Sequence, residues 1–168
     1  MKNGFNYAAE KKQLPNDSAS GGKHEAVAAM KKRSVKEKAG VIAYRLKEGE
    51  EPLVLVVSTR KVKGQWVFPV GSVEKGETLA TAARRECEEE SGYCVEIGYK
   101  FSSFQVTNDT IHKRFTFFLA TVVGEVEQWE TDRQRRWLPV STIVDALPDV
   151  FRDVAGKAVK RIGKGAHR

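Results

Sequence analysis

The strongest constraint on this chain lies between Gly71 and Tyr93, in GSVEKGETLATAARRECEEESGY, where one helical period organises both the apolar and the acidic residues. Glu86, Glu89 and Glu90 stand at i, i+3 and i+4, within roughly 100° of one another on a helix. Leu79, Ala82 and Ala83 occupy the same face one and two turns earlier. Small apolar residues mark the side of a helix that packs inward, so the three carboxylates are directed toward the body of the protein as well. Like charges this close either raise one another's pKa or are held ionised by a cation. An all-oxygen donor set suits a hard ion such as Mg²⁺, with Mn²⁺ as a substitute.

The rest of the chain is arranged around this segment. A length of 168 residues suffices for one domain with a full core. Residues 1–37 are poor in large apolar side chains, contain NDSASGGK and read as a flexible basic arm, with a short helix possible over Ala26–Arg33. The segments GVIAYRL and PLVLVVSTR, joined by the polar turn KEGEE, predict a hairpin, and WVFPVG a third short strand ending at Pro69. The helix is predicted from Thr78 to about Ser91, with Gly92 as its stop. CVEIGYKFSSFQV and KRFTFFLATVV read as two longer strands and RRWLPV as a short one; helices are expected over Ser141–Leu147 and Asp149–Ile162. Strands interleaved with a central and a terminal helix predict an α/β fold, a mixed sheet between helices. It should span residues 38–162, followed by a basic tail over 163–168.

Charge is unevenly spread. Residues 1–38 carry nine Lys/Arg against four Asp/Glu and residues 152–168 six against one, which leaves the segment between them with fourteen against seventeen. The basicity belongs to the ends and would attract an anionic partner. Solvated tails that promote solubility are the plainer reading. No apolar run reaches membrane-span length and residues 1–30 lack the apolar core of a signal peptide, so the expectation is a cytoplasmic protein without a membrane partner. Cys87 and Cys94 form neither a disulfide framework nor a metal-ligand pattern.

Taken alone, E-x-x-E-E describes a charged surface helix. Here it stands in register with Gly71, Glu77, Arg85 and Gly92, and the whole stretch resembles the Nudix box: glycine, five residues, glutamate, seven residues, then R-E-U-x-E-E-x-G-U, where U is a bulky aliphatic residue. Every fixed position is filled, a coincidence on the order of one in a million by residue frequency. Cys87 and Tyr93 depart from the pattern at two U positions, where both can fill apolar space.

The resemblance implies an α/β/α sandwich and Mg²⁺-dependent hydrolysis of a phosphoanhydride. It implies Gly71, Glu86, Glu89 and Glu90 as the metal site, and Glu89, Glu90 and Arg85 as the catalytic set. Glu89 or Glu90 would be the base. Arg85 would pair with Glu77 and fix the loop against the helix rather than touch the reaction. Glu74 is placed either near the metals or in solvent, and Arg84 and Glu88 on a solvated face.

Outside the box, VSTR, the run GQWVFPVGSVEKGE, His112-Lys113-Arg114 and WETDRQRRW resemble the diphosphoinositol polyphosphate and diadenosine polyphosphate hydrolase branch. That likeness implies a basic rim of Ser58, Arg60, Lys63, Lys113, Arg114, Arg135 and Arg136 for a small, densely phosphorylated substrate. Val70 stands where many members carry lysine or glycine. Trp66, Trp129 and Trp137 suit strand packing better than base stacking. Two other functions remain open: housekeeping hydrolysis of nucleoside triphosphates, nucleotide sugars or ADP-ribose, and a non-catalytic module that binds RNA or an acidic protein. A nucleic-acid partner is disfavoured because the aromatics are not interleaved with the basic tail residues.

Overall fold

The computed structural model describes residues 34–164. The helix expected over Ala26–Arg33, most of the N-terminal arm and residues 165–168 lie outside the described residues. The strands are β1 (Lys36–Arg45), β2 (Leu53–Ser58), β3 (Trp66–Val67), β4 (Val70–Ser72), β5 (Tyr93–Thr107), β6 (His112–Glu125) and β7 (Arg135–Pro139). The helices are α1 (Leu79–Ser91), α2 (Ile143–Ala146) and α3 (Arg152–Gly163).

The sheet runs β3-β2-β1-β6-β5, with β4 added to β1 and β7 to β2. β1 is its centre. It pairs in parallel with β6 from Lys36↔Lys113 to Ala43↔Ala120, and antiparallel with β4 through Ala39↔Gly71. Burial on both faces explains why Ala39–Ala43 reads as an unbroken apolar run instead of alternating. Its side chains still alternate in destination. Ala39, Val41 and Ala43 face α1 and meet Ala82, Ala83 and Cys87, while Ile42 joins Val154, Ala155, Ala158 and Ile162 of α3 on the other side. The mixed sheet is therefore held between α1 and the α2–α3 pair, an α/β/α sandwich. Phe117 and Phe151 meet edge to face at 5.8 Å, part of an aromatic cluster with Phe68, Phe104 and Phe115 under α3.

Several sequence boundaries move. β1 starts at Lys36, so Lys36 and Glu37 belong to the sheet and not to the arm. WVFPVG is two strands, because the chain turns at Phe68-Pro69 and the Pro69 carbonyl accepts from Val41 N–H at 3.0 Å. The helix expected over Ser141–Leu147 is a 3₁₀ turn, Val140–Thr142, followed by the single turn of α2, and Asp149–Phe151 is likewise 3₁₀ before α3 begins. β5 carries register shifts near Cys94 and between Ile97 and Ser102, which let its 15 residues follow the twisted edge of β6.

α1 is delimited by its own residues. The Thr78 hydroxyl caps it by accepting from Thr81 N–H at 3.1 Å. Gly92, at φ +72°, ends it and donates to the Glu88 carbonyl at 2.8 Å.

Candidate active site

The acidic face of α1 lies under the β4 segment, and Gly71 is where they touch. A Cβ built on Gly71 would stand 1.9 Å from Glu86 Cδ, so only glycine leaves room for this carboxylate. Gly76, at φ +86°, makes the turn that brings the loop back to the helix.

Arg85 ties loop and helix together. Its Nε and Nη2 donate to Glu77 at 2.8 and 2.9 Å, Nη2 also reaches the Ser72 carbonyl at 2.9 Å, and Nη1 donates to Glu86 Oε1 at 3.0 Å and Glu89 Oε2 at 3.1 Å. These bonds hold the Glu77 carboxyl far below its ordinary range, at about 2. Glu74 is exposed and donates its N–H to Glu77 at 2.9 Å, so its contact with the site is through backbone. Arg84 is exposed, whereas Glu88 is half-buried and accepts from Cys94 Sγ at 3.6 Å.

The three box acids differ in environment. Glu89 is half exposed, with 49% of its side chain accessible. Burial raises Glu86, although Arg85 and Lys38 oppose the shift. Glu90 is buried; its Oε1 meets Arg133 Nη2 at 2.6 Å and its Oε2 accepts from Val70 N–H at 3.0 Å. Desolvation still dominates and pushes it up to about 7, with Glu86 and Glu130 adding to the rise. Among the described residues no three acidic, His or Cys side chains already converge on one metal position. The donor chemistry nevertheless fits a hard divalent cation. Glu86 and Glu89 share a single guanidinium nitrogen and each keeps its other oxygen outside that contact, while burial raises Glu86 and Glu90 against the pull of Arg85, Lys38 and Arg133.

The residues expected to form a basic rim are dispersed. Arg60 forms ion pairs with Asp132 at 2.7 Å and Glu130 at 2.9 Å, and Arg114 with Glu37 at 3.0 Å. Arg135 pairs with Glu125, donates to the Ser91 carbonyl and stacks between Tyr93 and Trp129. Arg136 is the next residue of β7 and so points to the opposite face, over Trp66. Arg135 and Arg136 therefore do not make one patch. Ser58 Oγ is used by the Gln134 N–H at 2.8 Å, and Lys63 is exposed on the β2–β3 turn. Trp66, Trp129 and Trp137 all pack against protein groups, Trp137 donating to the Tyr93 hydroxyl at 3.2 Å.

Lysines gather around Lys113, one of the expected rim residues. Lys113 is half-buried and its pKa is lowered by burial and by the charges of Lys38, Lys61 and Lys36; Lys38 is lowered too, by burial first, and feels both Glu86 and Glu90. The sequence held a signal for this, since KEK on a strand puts Lys36 and Lys38 on one face. WETDRQRRW contains Glu130 and Arg133, but nothing in the pattern tied either to Glu90, to which the fold alone delivers them.

A helix presenting carboxylates beneath a glycine loop, on a sheet with helices on both sides, is the arrangement that the resemblance to phosphoanhydride hydrolases implied. The NUDIX domain profile matches residues 36–161, and the chain belongs to that family. It is 31% identical over 116 residues to the diphosphoinositol polyphosphate phosphohydrolase NUDT4B of Homo sapiens, covering 67% of this chain and 62% of that protein. With diphosphoinositol polyphosphate phosphohydrolase 2 of Rattus norvegicus the identity is 32% over 116 residues, covering 67% and 63%. The chain thus spans somewhat under two thirds of the length of these relatives. The fold matches a NUDIX hydrolase from Nitrosomonas europaea (TM-score 0.63, 16% identity, 76% of this chain and 90% of that one). It also matches a C. elegans Ap4A hydrolase binary complex (TM-score 0.62, 18% identity, 77% and 99%). Among the described residues no helix is long and apolar enough to cross a membrane.

Proposed function

We propose that this chain is a Mg²⁺-dependent pyrophosphohydrolase that cleaves a phosphoanhydride in a small, highly phosphorylated molecule, a diphosphoinositol polyphosphate or a dinucleoside polyphosphate. The observation that carries the reading is the α1 acid face, complete in all its carboxylates and held in place by Arg85 and Gly71. The finer substrate choice draws on the activity for which the relatives are named and on the lysine cluster.

Gly71, Glu86, Glu89 and Glu90 would hold the metal, with Mn²⁺ as a substitute. Bound there, the cation would neutralise phosphate charge and lower the pKa of a water. Glu89 is the better general base. Both oxygens of Glu90 are engaged and the group is buried, while Glu89 is reachable from solvent and keeps one oxygen outside the Arg85 contact. Arg85 orients Glu86 and Glu89 without meeting substrate. Lys36, Lys38, Lys61 and Lys113 would orient the anionic chain beside the acids. Localisation in the cytoplasm accords with this substrate class.

The test is phosphate release with Mg²⁺ across diphosphoinositol polyphosphates, dinucleoside polyphosphates, nucleoside triphosphates and ADP-ribose, run on wild type and on Glu89→Gln. Wild type should prefer the first two classes and the variant should lose at least ~10²-fold in kcat while staying folded. Preference for ADP-ribose would end the polyphosphate reading, and full activity of Glu89→Gln would end the assignment of the base.

A further inference from the structure

Between β6 and β7 the chain lies across the C-terminal end of α1. Val126 N–H donates to the Gly92 carbonyl and Glu130 N–H to the Glu89 carbonyl, both at 2.8 Å, so the segment uses helix-end acceptors that would otherwise need water. Trp129 presses on Gly92 so closely that a Cβ there would stand 2.7 Å from its ring. Arg135 lies over both the Trp129 and Tyr93 rings, at 4.9 and 4.2 Å. These contacts fasten the segment to the helix end.

Arg133 reaches inward from this segment. Only 12% of its side chain is accessible, and its guanidinium meets three acceptors: Glu90 Oε1 at 2.6 Å, Glu130 Oε2 at 2.5 Å and the Ser58 carbonyl at 2.8 Å. Glu130 in turn pairs with Arg60, and Arg60 with Asp132, so an alternating chain of charges runs from the buried acid to the surface. A planar fork with fixed donors can serve three acceptors on β2, α1 and the segment together; an ammonium can keep the ion pair with Glu90 but not all three contacts. Immobilising so long a side chain costs entropy and desolvation, which a surface ion pair would not repay.

We propose that Arg133 is a positioning residue for the α1 acids, acting through Glu90, and that the β6–β7 segment is the strap that holds it. The proposal rests on the hydrolase reading above but is separable from it. Arg133 touches no reacting atom. Its part is to fix the buried carboxylate so that metal binding does not have to order it, the role that groups behind a ligand generally play.

The experiment compares full-length wild type, Arg133→Gln, Arg133→Lys and Glu130→Gln, with Arg152→Gln as a distant control. Mn²⁺ affinity of the substrate-free protein is read by electron paramagnetic resonance, and kcat and KM from phosphate release. Arg133→Gln should weaken Mn²⁺ binding and lower kcat by about 10–100-fold each, with KM within about twofold. Arg133→Lys should recover part of the Mn²⁺ affinity, and Arg152→Gln should match wild type.

Three results would overturn the proposal: a folded Arg133→Gln with Mn²⁺ affinity and kcat within twofold of wild type; a rise in KM alone, which would make Arg133 a substrate contact; or Arg133→Lys no better than Arg133→Gln. If Arg133→Gln does not fold, Glu130→Gln decides, because it keeps the Glu90 pair but puts a neutral amide in place of the carboxylate that holds Nε. It should weaken Mn²⁺ binding severalfold, and wild-type Mn²⁺ affinity there would count against the strap. Wild type that binds Mn²⁺ but releases no phosphate from any substrate would defeat the hydrolase reading only, since the Mn²⁺ comparison would still judge Arg133.

Discussion

Replacing Gly71 with alanine should separate catalysis from stability. Gly71 has an ordinary φ, unlike Gly76 and Gly92, so alanine meets no backbone strain. What it meets is Glu86. The new Cβ would lie 1.9 Å from Cδ and 2.1 Å from each oxygen, and ordinary contact begins near 3.4 Å, so the carboxylate must retreat by about 1.5 Å (3.4 minus 1.9). Because the obstacle is the tip of a flexible side chain, the fold can yield cheaply. The loss is the 3.0 Å bond to Arg85, worth about 1 kcal/mol or less at a partly exposed pair. Alanine returns roughly 0.4–1 kcal/mol by reducing the freedom of the unfolded chain. The two nearly cancel, and Tm should stay within about 4 °C of wild type. With Glu86 as the proposed metal ligand, activity should have no such compensation, since a misplacement of an ångström at a reacting site costs about 10²-fold. The assay is kcat for a phosphoanhydride substrate beside calorimetric unfolding, with the Gly71 carbonyl preserved in both proteins. A variant with kcat within threefold of wild type would refute the claim that glycine is there for Glu86, as would activity lost together with a Tm drop of more than about 8 °C.

Acid stability should report the Glu77–Arg85 pair. The folded pKa of Glu77, about 2, lies below the ordinary 4.5, so its stabilisation is complete above about pH 4.5 and disappears as pH falls toward 2. The stability gap between wild type and Glu77→Gln should therefore narrow from pH 5 to pH 2 in urea titrations; a gap independent of pH would remove the pair's charge as its cause. Burial pushes the Cys87 thiol up to about 12, so at pH 8 mass spectrometry should find Cys87 unalkylated by iodoacetamide until urea unfolds the protein. Native alkylation at the rate of a free thiol would contradict its position on the buried face of α1.

What the sequence revealed was mostly local. The helix over 79–91 was readable because Thr78, the apolar face and Gly92 all lie within its own span, and the Glu77–Arg85 bond because both partners belong to one motif. Strand cores were readable from apolar runs and the stop at Pro69 from the proline, but the strand Val70–Ser72 beyond it was not, since it depends on pairing with β1 across the sheet. The least legible feature was the fate of the arginines. A basic residue in a string has no visible partner, and the acids that engage Arg60 and Arg114 come from 72 and 77 residues away. Ion pairing at that separation is decided by topology, which periodicity does not encode.

That pairing changes how charge should be understood here. Arg60, Arg114 and Arg135 are each matched to carboxylates, so their contribution to an anion's affinity is what remains after breaking or sharing those pairs. Lys38 and Lys113 are different: burial and mutual repulsion lower both, so their protonated forms are held at a cost that an arriving phosphate would relieve. Glu86 and Glu90 are raised for the converse reason and would be relieved by a cation. The two strained groups act on each other, since Lys38 feels both acids. A phosphate chain and a divalent cation arriving together would relieve both while adding little net charge, whereas either alone leaves its own half of the site uncompensated. On the proposed function, substrate charge and metal charge would thus be complementary demands of one short stretch of β1 and one face of α1.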